Sequence, residues 1–184
     1  MGKRMLIKLI YPCLKLYWFL VRPHTFGVQC VIQHRGALLL IRNTYGRQRW
    51  TFPGGGMSTG ETPEEAIRRE VREKVGLHLQ HLRAIGAFTS TADYKRDHVV
   101  VFAGEAQDRQ VTLDPAEILE ARWFPPTQLP RLSTSAERIL VIWQRAAHDE
   151  RYLGGCIRLI LPTAQNSAKS PPLDPRKTEG LAFS

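Results

Sequence analysis

The order of patterns along the chain predicts an α/β fold, in which a mixed β-sheet lies between helices on its two faces. Three observations support this prediction. Short runs with alternating apolar residues occur before and after the middle of the sequence. A short, charged helix with clear end signals separates them. A second, apolar helix is predicted through about Ala147, with Ser133 or Ser135 as its cap.

The predicted strands begin after Arg22-Pro23-His24, which interrupts the preceding pattern. Phe26–Gln33 alternates like a strand, and His34-Arg35-Gly36 is a turn into a second strand. The later strands are predicted over shorter, β-branched or apolar runs. The strands after the first are expected at residues 37–42, 77–89, 98–103 and 121–124.

The middle of the chain, residues 54–77, is a glycine-rich turn followed by the charged helix. Thr62 is the predicted N-cap, Glu65 completes a capping box, and Pro63 lies at the first helical position. Gly76 is the residue expected just past the helix end. This combination predicts a helix over about residues 63–75.

Two acidic residues of this helix, Glu70 and Glu73, are expected to project together beside its apolar stripe. Two carboxylates near a turn of exposed backbone suit a hard cation such as Mg²⁺, which prefers oxygen ligands and retains waters. A cation at this point would attract phosphate oxygens. The pattern therefore indicates phosphate chemistry.

This stretch resembles the Nudix box, Gly-x5-Glu-x7-Arg-Glu-U-x-Glu-Glu-x-Gly-U, in which U is apolar. Lys74 replaces the second Glu of the Glu-Glu pair, a residue that is usually a direct metal ligand in the family. The resemblance covers roughly residues 24–148 and implies the Nudix α/β/α sandwich. The matching positions are Gly55, Glu61, Arg69, Glu70, Val71, Glu73, Gly76 and Leu77.

The resemblance implies a pyrophosphohydrolase that cleaves the diphosphate bond of a nucleoside diphosphate derivative or a nucleoside triphosphate by attack of water at phosphorus. Mg²⁺, or Mn²⁺ in its place, is the implied cofactor. Glu70 and Glu73 match metal-binding carboxylates, and the carbonyl of Gly54 matches one that joins the metal shell. Glu70 is also the box residue expected to act as base. Arg69 and Glu61 are expected to form an orienting ion pair.

A further metal-binding carboxylate is expected from a loop late in the fold, as the family often supplies one. Counting back from the strand of Trp123, Glu117 occupies the matching position and Glu120 is a close rival. Asp97, at the start of a strand, is the third choice. A solvated loop acid is the alternative interpretation of either glutamate.

Lys74 leaves two functions open. A ligand of charge −1 becomes a charge of +1, which should weaken cation binding, whereas an exposed Glu70–Lys74 pair adds only about 0.2–0.5 kcal/mol. In one outcome Glu70, Glu73 and Glu117 still hold one Mg²⁺ and Lys74 contacts phosphate. In the other the metal is lost, and a catalytically weak domain binds a nucleotide and acts through a partner or a membrane surface. We favour the first, because the rest of the box is intact.

Substrate contacts are expected from Arg42 and Arg49, which lie near enough in sequence to reach a phosphate, and from Lys74. Solvated loop arginines are the alternative. Trp50 or Tyr94 is expected to stack on a base, and Tyr94 falls in the window where diadenosine polyphosphate hydrolases carry a tyrosine. Nothing in the sequence specifies the nucleoside or the attached group.

The net charge of +9 is concentrated at the two ends of the chain. Residues 1–25 carry five basic residues and no acidic one, whereas residues 26–150 carry sixteen basic and fifteen acidic residues. A nucleic-acid groove would more often concentrate the excess around itself, so a nucleic-acid partner is not the expectation. Removal of pyrophosphate from the 5′ end of RNA, which uses the same chemistry and would draw on the basic ends, is a third alternative. Three cysteines without close pairing predict a reducing compartment, the cytoplasm.

The regions outside residues 24–148 are predicted to form three further segments. Residues 1–23 are a basic amphipathic helix, in which residues 3–22 would either lie on an anionic membrane surface, at its inner face, or pack on the domain or on a second copy in a homodimer. Residues 149–162 are a short packing segment. Residues 163–184 are a disordered tail, since they contain little to bury.

Overall fold

The computed structural model describes residues 24–46, 48–90 and 96–148, together with Ile10, Cys13 and Leu20, and in this part of the chain a six-stranded mixed sheet lies between two helices. The predicted fold class is confirmed. The predictions for residues 3–22 as a whole, 149–162, 163–184 and Tyr94 lie outside the described residues. The elements are β1 (His24–His34), β2 (Ala37–Asn43), β3 (Gly54–Gly56), helix α1 (Pro63–Val75), β4 (Leu79–Ser90), β5 (Arg96–Ala106), β6 (Ile118–Phe124) and helix α2 (Thr134–His148).

The sheet has the order β4-β5-β1-β2-β6, with β3 paired to β1 outside this path. β1 and β5 are parallel, and the other neighbours are antiparallel. Arg35 and Gly36 form the predicted turn between β1 and β2, with φ angles of 47° and 76°. Both angles are positive, as a tight two-residue hairpin turn requires. β5 and β6 are longer than predicted because their pairing continues over the polar ends of β1 and β2.

The sheet opens between β1 and β2. These strands pair only beside the turn, at Gln33–Leu38 and His34–Ala37. Farther along, β3 pairs with the same edge of β1 at residues 27–29. Backbone hydrogen bonds from Cys30 N to Pro53 O and between Ile41 and Thr51 hold residues 51–53 in the opening. The glycine strand β3 is thereby placed against α1.

Helix α1 has the ends that its sequence predicts. The Thr62 hydroxyl accepts a hydrogen bond from Glu65 N, the Glu65 carboxylate accepts from Thr62 N, and Gly76 is left-handed with φ 70°. The apolar face of α1 is fully buried against β1 and β2. Its buried apolar residues are Ala66, Ile67, Val71 and Val75.

Helix α2 covers the other face of the sheet. Ser133 Oγ accepts a hydrogen bond from Ala136 N at 3.2 Å, so Ser133 is the cap rather than Ser135. Ile139 and Trp143 pack here in a second hydrophobic core. The β1 and β2 residues of this core alternate along the strands with those that face α1. Among the described residues, no helix combines the length and apolar character that crossing a bilayer requires.

Substituting Thr62 by Ala removes one half of the capping box and should lower the free energy of unfolding by about 1 kcal/mol. Thr59→Ala, in the exposed turn before the helix, is the matched control and should leave stability within about 0.5 kcal/mol of the wild type. Urea unfolding measures both. Equal stability of the two variants would contradict the role of the box.

Candidate active site

A buried ammonium group lies at the centre of the candidate site. Lys74 Nζ is 2.7 Å from the carbonyl oxygen of Gly54 and 3.1 Å from Glu70 Oε2. Glu117 Oε2 is 3.5 Å from the same nitrogen. An ammonium group has three N–H donors. The three donors of Lys74 are therefore surrounded by three oxygen atoms, each from a different part of the chain.

Helical spacing brings Lys74 and Glu70 together, because residues four apart lie on one face of a helix. Here that face points into the protein, and the two side chains are only 9% and 10% exposed. The small contribution expected of an exposed pair therefore does not apply here. Removing either partner would leave a buried charge without compensation, which is far more costly than losing a surface ion pair.

Gly55 provides the space for the Glu70 carboxylate. A Cβ atom at Gly55 would lie 2.2 Å from Glu70 Oε2, closer than atoms that are not bonded can approach. A Cβ atom at Gly56, the next residue, would have no neighbour within 4 Å. The glycine strand thus allows the backbone to lie directly against Glu70.

Arg69 binds the other oxygen of Glu70. Its Nη1 donates to Glu70 Oε1 at 2.9 Å, so both oxygens of this carboxylate are held by cations. Its Nε and Nη2 donate to the two oxygens of Glu61 at 2.8 and 2.9 Å, the expected orienting ion pair in bidentate form. The hydrogen bond from Arg69 lowers the pKa of Glu61 to about 2, so Glu61 stays charged at neutral pH.

Glu73 shares a cation with Glu70 but is far more exposed. Its side chain is 59% exposed, and its Oε2 lies 3.3 Å from Arg69 Nη1. The same nitrogen also contacts Glu70 Oε1 at 2.9 Å, so the two carboxylates do project to one side of α1, as expected, and both line the same groove. They differ in burial, since packing of α1 encloses Glu70 and leaves Glu73 exposed.

Glu117 and Tyr45 reach the site from two loops that backbone hydrogen bonds join. Thr44 N donates to Glu117 O at 2.8 Å, and Thr44 Oγ1 donates to Ala116 O at 2.7 Å. The turn before β6 is also tied to α1, since Asp114 N donates to the carbonyl of Lys74 at 3.2 Å. This arrangement fixes Glu117 beside the ammonium group.

Tyr45 is a residue of the site that sequence reasoning missed. Burial raises the pKa of its phenol above the ordinary value. The charge of Lys74 lowers this pKa, and the charges of Glu117 and Glu70 raise it. Burial disfavours the charged form of Lys74, but the acidic groups of Tyr45, Glu70 and Glu117 outweigh it, and the pKa of Lys74 lies above its ordinary value. Lys74 is therefore a cation at neutral pH. In the sequence, the signal for Tyr45 was a single aromatic residue in a polar loop.

These groups line a groove of about 1050 Å³. Arg49, from the loop before β3, lines it as well, as do residues at the paired ends of β1, β4 and β5. Among the latter, Asp97, the third-choice carboxylate, accepts a hydrogen bond from Thr25 Oγ1 at 2.7 Å. The charged residues in the wall of the groove are Arg49, Glu61, Glu70, Glu73, Lys74, Asp97 and Glu117.

Arg42 and Trp50 lie outside this groove. The Arg42 guanidinium is ion-paired with Glu120 and lies 5.2 Å from the centroid of the Trp50 ring. Trp50 packs edge-on against Phe124, with ring centroids 5.0 Å apart. Both residues, which were predicted to contact substrate, therefore contact side chains of β6. Glu120, the rival of Glu117, is occupied by the same contact.

The oxygen atoms expected to bind Mg²⁺ do not fit a metal ion in this arrangement. The Gly54 carbonyl, Glu70 and Glu117 all face Lys74 Nζ, which stands where an ion shared by them would lie. Glu73, the remaining expected ligand, is exposed and shares Arg69 Nη1 with Glu70. A divalent ion would be placed against a fixed positive charge. Within the described residues, no group of three or more His, Cys, Asp or Glu side chains is arranged to hold a metal ion.

Substituting Gly55 by Ala should displace the Glu70 carboxylate from Lys74, because the new methyl group would overlap it. We expect a loss of about 1–3 kcal/mol in the free energy of unfolding. Gly56→Ala is the matched control, since its methyl group meets open space, and should stay within about 0.5 kcal/mol of the wild type. Chemical denaturation measures both, and equal losses would show that Glu70 is not packed against Gly55.

The chain is similar to known proteins in sequence and in structure. NAD-capped RNA hydrolase NudC of Haemophilus influenzae is 30% identical over 132 residues, covering 63% of this chain and 48% of that protein. An RNA pyrophosphohydrolase of Yersinia enterocolitica is 40% identical over 69 residues, covering 38% of this chain and 39% of that protein. The chain therefore spans about half or less of the length of these curated relatives.

Solved structures show the same fold. The MutT protein from Methanosarcina mazei has a TM-score of 0.61 at 22% identity, covering 70% of this chain and 99% of that chain. A UDP-X diphosphatase has a TM-score of 0.57 at 28% identity, covering 65% of this chain and 61% of that chain. Residues 22–144 also match the family model of the NUDIX domain. Since this match includes most of the chain, the protein belongs to the NUDIX domain family.

Proposed function

We propose that this domain hydrolyses a diphosphate linkage in a nucleoside diphosphate derivative or a nucleoside triphosphate. One observation carries the proposal: the groove ends on the glycine strand and the charged face of α1, where an ammonium group and two carboxylates converge. Relatives named as a hydrolase and as a pyrophosphohydrolase support the same reaction class.

Lys74 and Arg49 supply positive charge for the phosphates. Negative charge on the phosphoryl oxygens must be neutralised in the transition state, and a buried cation acts on it more strongly than one in water. The Glu117 contact, at 3.5 Å, is the longest of the three around Lys74. We propose that a phosphate oxygen of the substrate displaces Glu117 from the ammonium group.

Glu117 then becomes the proton acceptor. The oxygen of water bonds to phosphorus, the bridging P–O bond breaks, and the second phosphate leaves with its electron pair, while one proton of the water passes to a carboxylate. The sequence favoured Glu70 as this base. Glu70, however, has both oxygens held by Arg69 and Lys74, whereas Glu117 is 32% exposed and faces the groove.

Divalent cations are the general cofactors of Nudix hydrolases, and Mg²⁺ or Mn²⁺ was expected here. The set formed by the Gly54 carbonyl, Glu70 and Glu117 does not fit such an ion while Lys74 occupies its centre. A requirement for Mg²⁺ in turnover would therefore have to be met by other ligands.

The 5′ end of RNA is the second candidate substrate. The names of two relatives, NAD-capped RNA hydrolase and RNA pyrophosphohydrolase, favour it. The nearly neutral charge of residues 26–150 gives no broad basic surface for a long nucleic acid. A capped or triphosphorylated 5′ end needs only the diphosphate and the adjoining nucleotide in the groove, so both observations are compatible with an RNA end.

The test is product release from a panel of nucleoside triphosphates, ADP-ribose, diadenosine polyphosphates, nucleotide sugars and 5′-triphosphorylated or NAD-capped RNA, each with Mg²⁺ and with EDTA. The wild type should release product from at least one class. Glu117→Gln should lower kcat by a factor of about 10²–10⁴, as the loss of a general base does. Glu105→Gln, on β5 outside the groove, is the matched control and should retain activity.

Equal turnover by the wild type and Glu117→Gln would overturn the assignment of the base. Silence across the panel, with nucleotide binding retained in a direct binding assay, would overturn hydrolysis. That result would leave the alternative function, a nucleotide-binding domain that acts through a partner.

A further inference from the structure

We propose that the Lys74 ammonium group is a built-in cation that takes the place of a divalent ion and holds this site together. It joins β3 through the Gly54 carbonyl, α1 through Glu70, and the turn before β6 through Glu117. The inference goes beyond the proposed function because it concerns the assembly of the site and holds with or without turnover.

The charge balance around Lys74 requires a cation at its position. Glu70 and Glu117 both approach one point, and two carboxylates in a partly dehydrated space repel each other unless a cation lies between them. Lys74 Nζ lies at that point, within 3.5 Å of both. No other cation of the described residues contacts Glu117, and Arg69 binds the opposite oxygen of Glu70. Lys74 is thus the group that makes their approach possible.

A carboxylate at position 74 would create a different kind of site. The side chain leaves α1 on its buried face and ends among the Gly54 carbonyl, Glu70 and Glu117. A glutamate there would add a third carboxylate to this group. Three carboxylates and a backbone carbonyl are an oxygen set that suits Mg²⁺ or Mn²⁺. One substitution therefore separates a site with an internal cation from a site that requires an external one.

The consequence is a difference in metal dependence. In the wild type, the cation is covalently attached, and neither chelation nor added metal should change the stability of the domain. In Lys74→Glu, the uncompensated carboxylates should destabilise the fold until a divalent ion binds between them. Lys74→Met removes the charge without adding a ligand, so it should be destabilised in a way that metal cannot repair.

The experiment uses the full chain and two readouts that do not depend on turnover. Thermal unfolding is measured in EDTA, Mg²⁺ and Mn²⁺, and Mn²⁺ binding is measured by the loss of the free-ion EPR signal. The wild type should unfold at one temperature in all three conditions and show no Mn²⁺ binding that depends on Glu117. Lys74→Glu should unfold several degrees lower in EDTA, recover with Mn²⁺, and bind one ion.

Arg72→Glu is the matched control, since it makes the same change of charge on the exposed face of α1. It should acquire no metal-dependent stability. If Lys74→Glu fails to fold without metal, refolding it in Mn²⁺ and in Mg²⁺ gives the same comparison.

Two results would overturn the proposal. One is tight Mn²⁺ binding by the wild type that Glu117→Gln abolishes, because the ion would then lie at the position assigned to the ammonium group. The other is a Lys74→Glu protein, folded in Mn²⁺ or without it, that gains neither stability nor a bound ion from metal. Hydrolysis is not measured in either case, so the proposed function stands or fails separately.

Discussion

The buried contact of Lys74 with three oxygen atoms connects parts of the chain that are far apart in sequence. Gly54 belongs to the strand inserted in the sheet, Glu70 and Lys74 to α1, and Glu117 to the turn before β6. The opening between β1 and β2 is what allows the glycine strand to lie against the helix. A glycine at position 55 is what allows it to lie so close. The groove therefore depends on one ionic cluster and on the backbone that surrounds it.

Much of the fold could be predicted because its signals are local. The capping box of α1, the left-handed Gly76 and the hairpin turn at Arg35-Gly36 each depend on a few neighbouring residues, and each is present. Alternation in β1 also predicts a strand, and the structure shows that its two faces contribute to the separate cores beneath α1 and α2. Strand ends were less predictable, since pairing with neighbours decides how far a strand continues.

The site was predictable in composition but not in arrangement. Arg69 and Glu70 could be placed on one helix and Glu61 in the turn before it, whereas the burial of the Glu70–Lys74 pair depends on how that helix packs on the opened sheet. The same packing leaves Glu73 exposed. Tyr45 is brought in by hydrogen bonds of its neighbour Thr44 across more than seventy residues, which no local pattern specifies.

A crystal structure of the wild-type protein soaked with Mn²⁺, with an anomalous difference map, tests the central claim most directly. We expect continuous density for the Lys74 side chain, with its Nζ against the Gly54 carbonyl and Glu70, and no anomalous peak among these groups and Glu117. A peak at that point, with Lys74 displaced from it, would contradict the assignment of the ammonium group as the cation of this site.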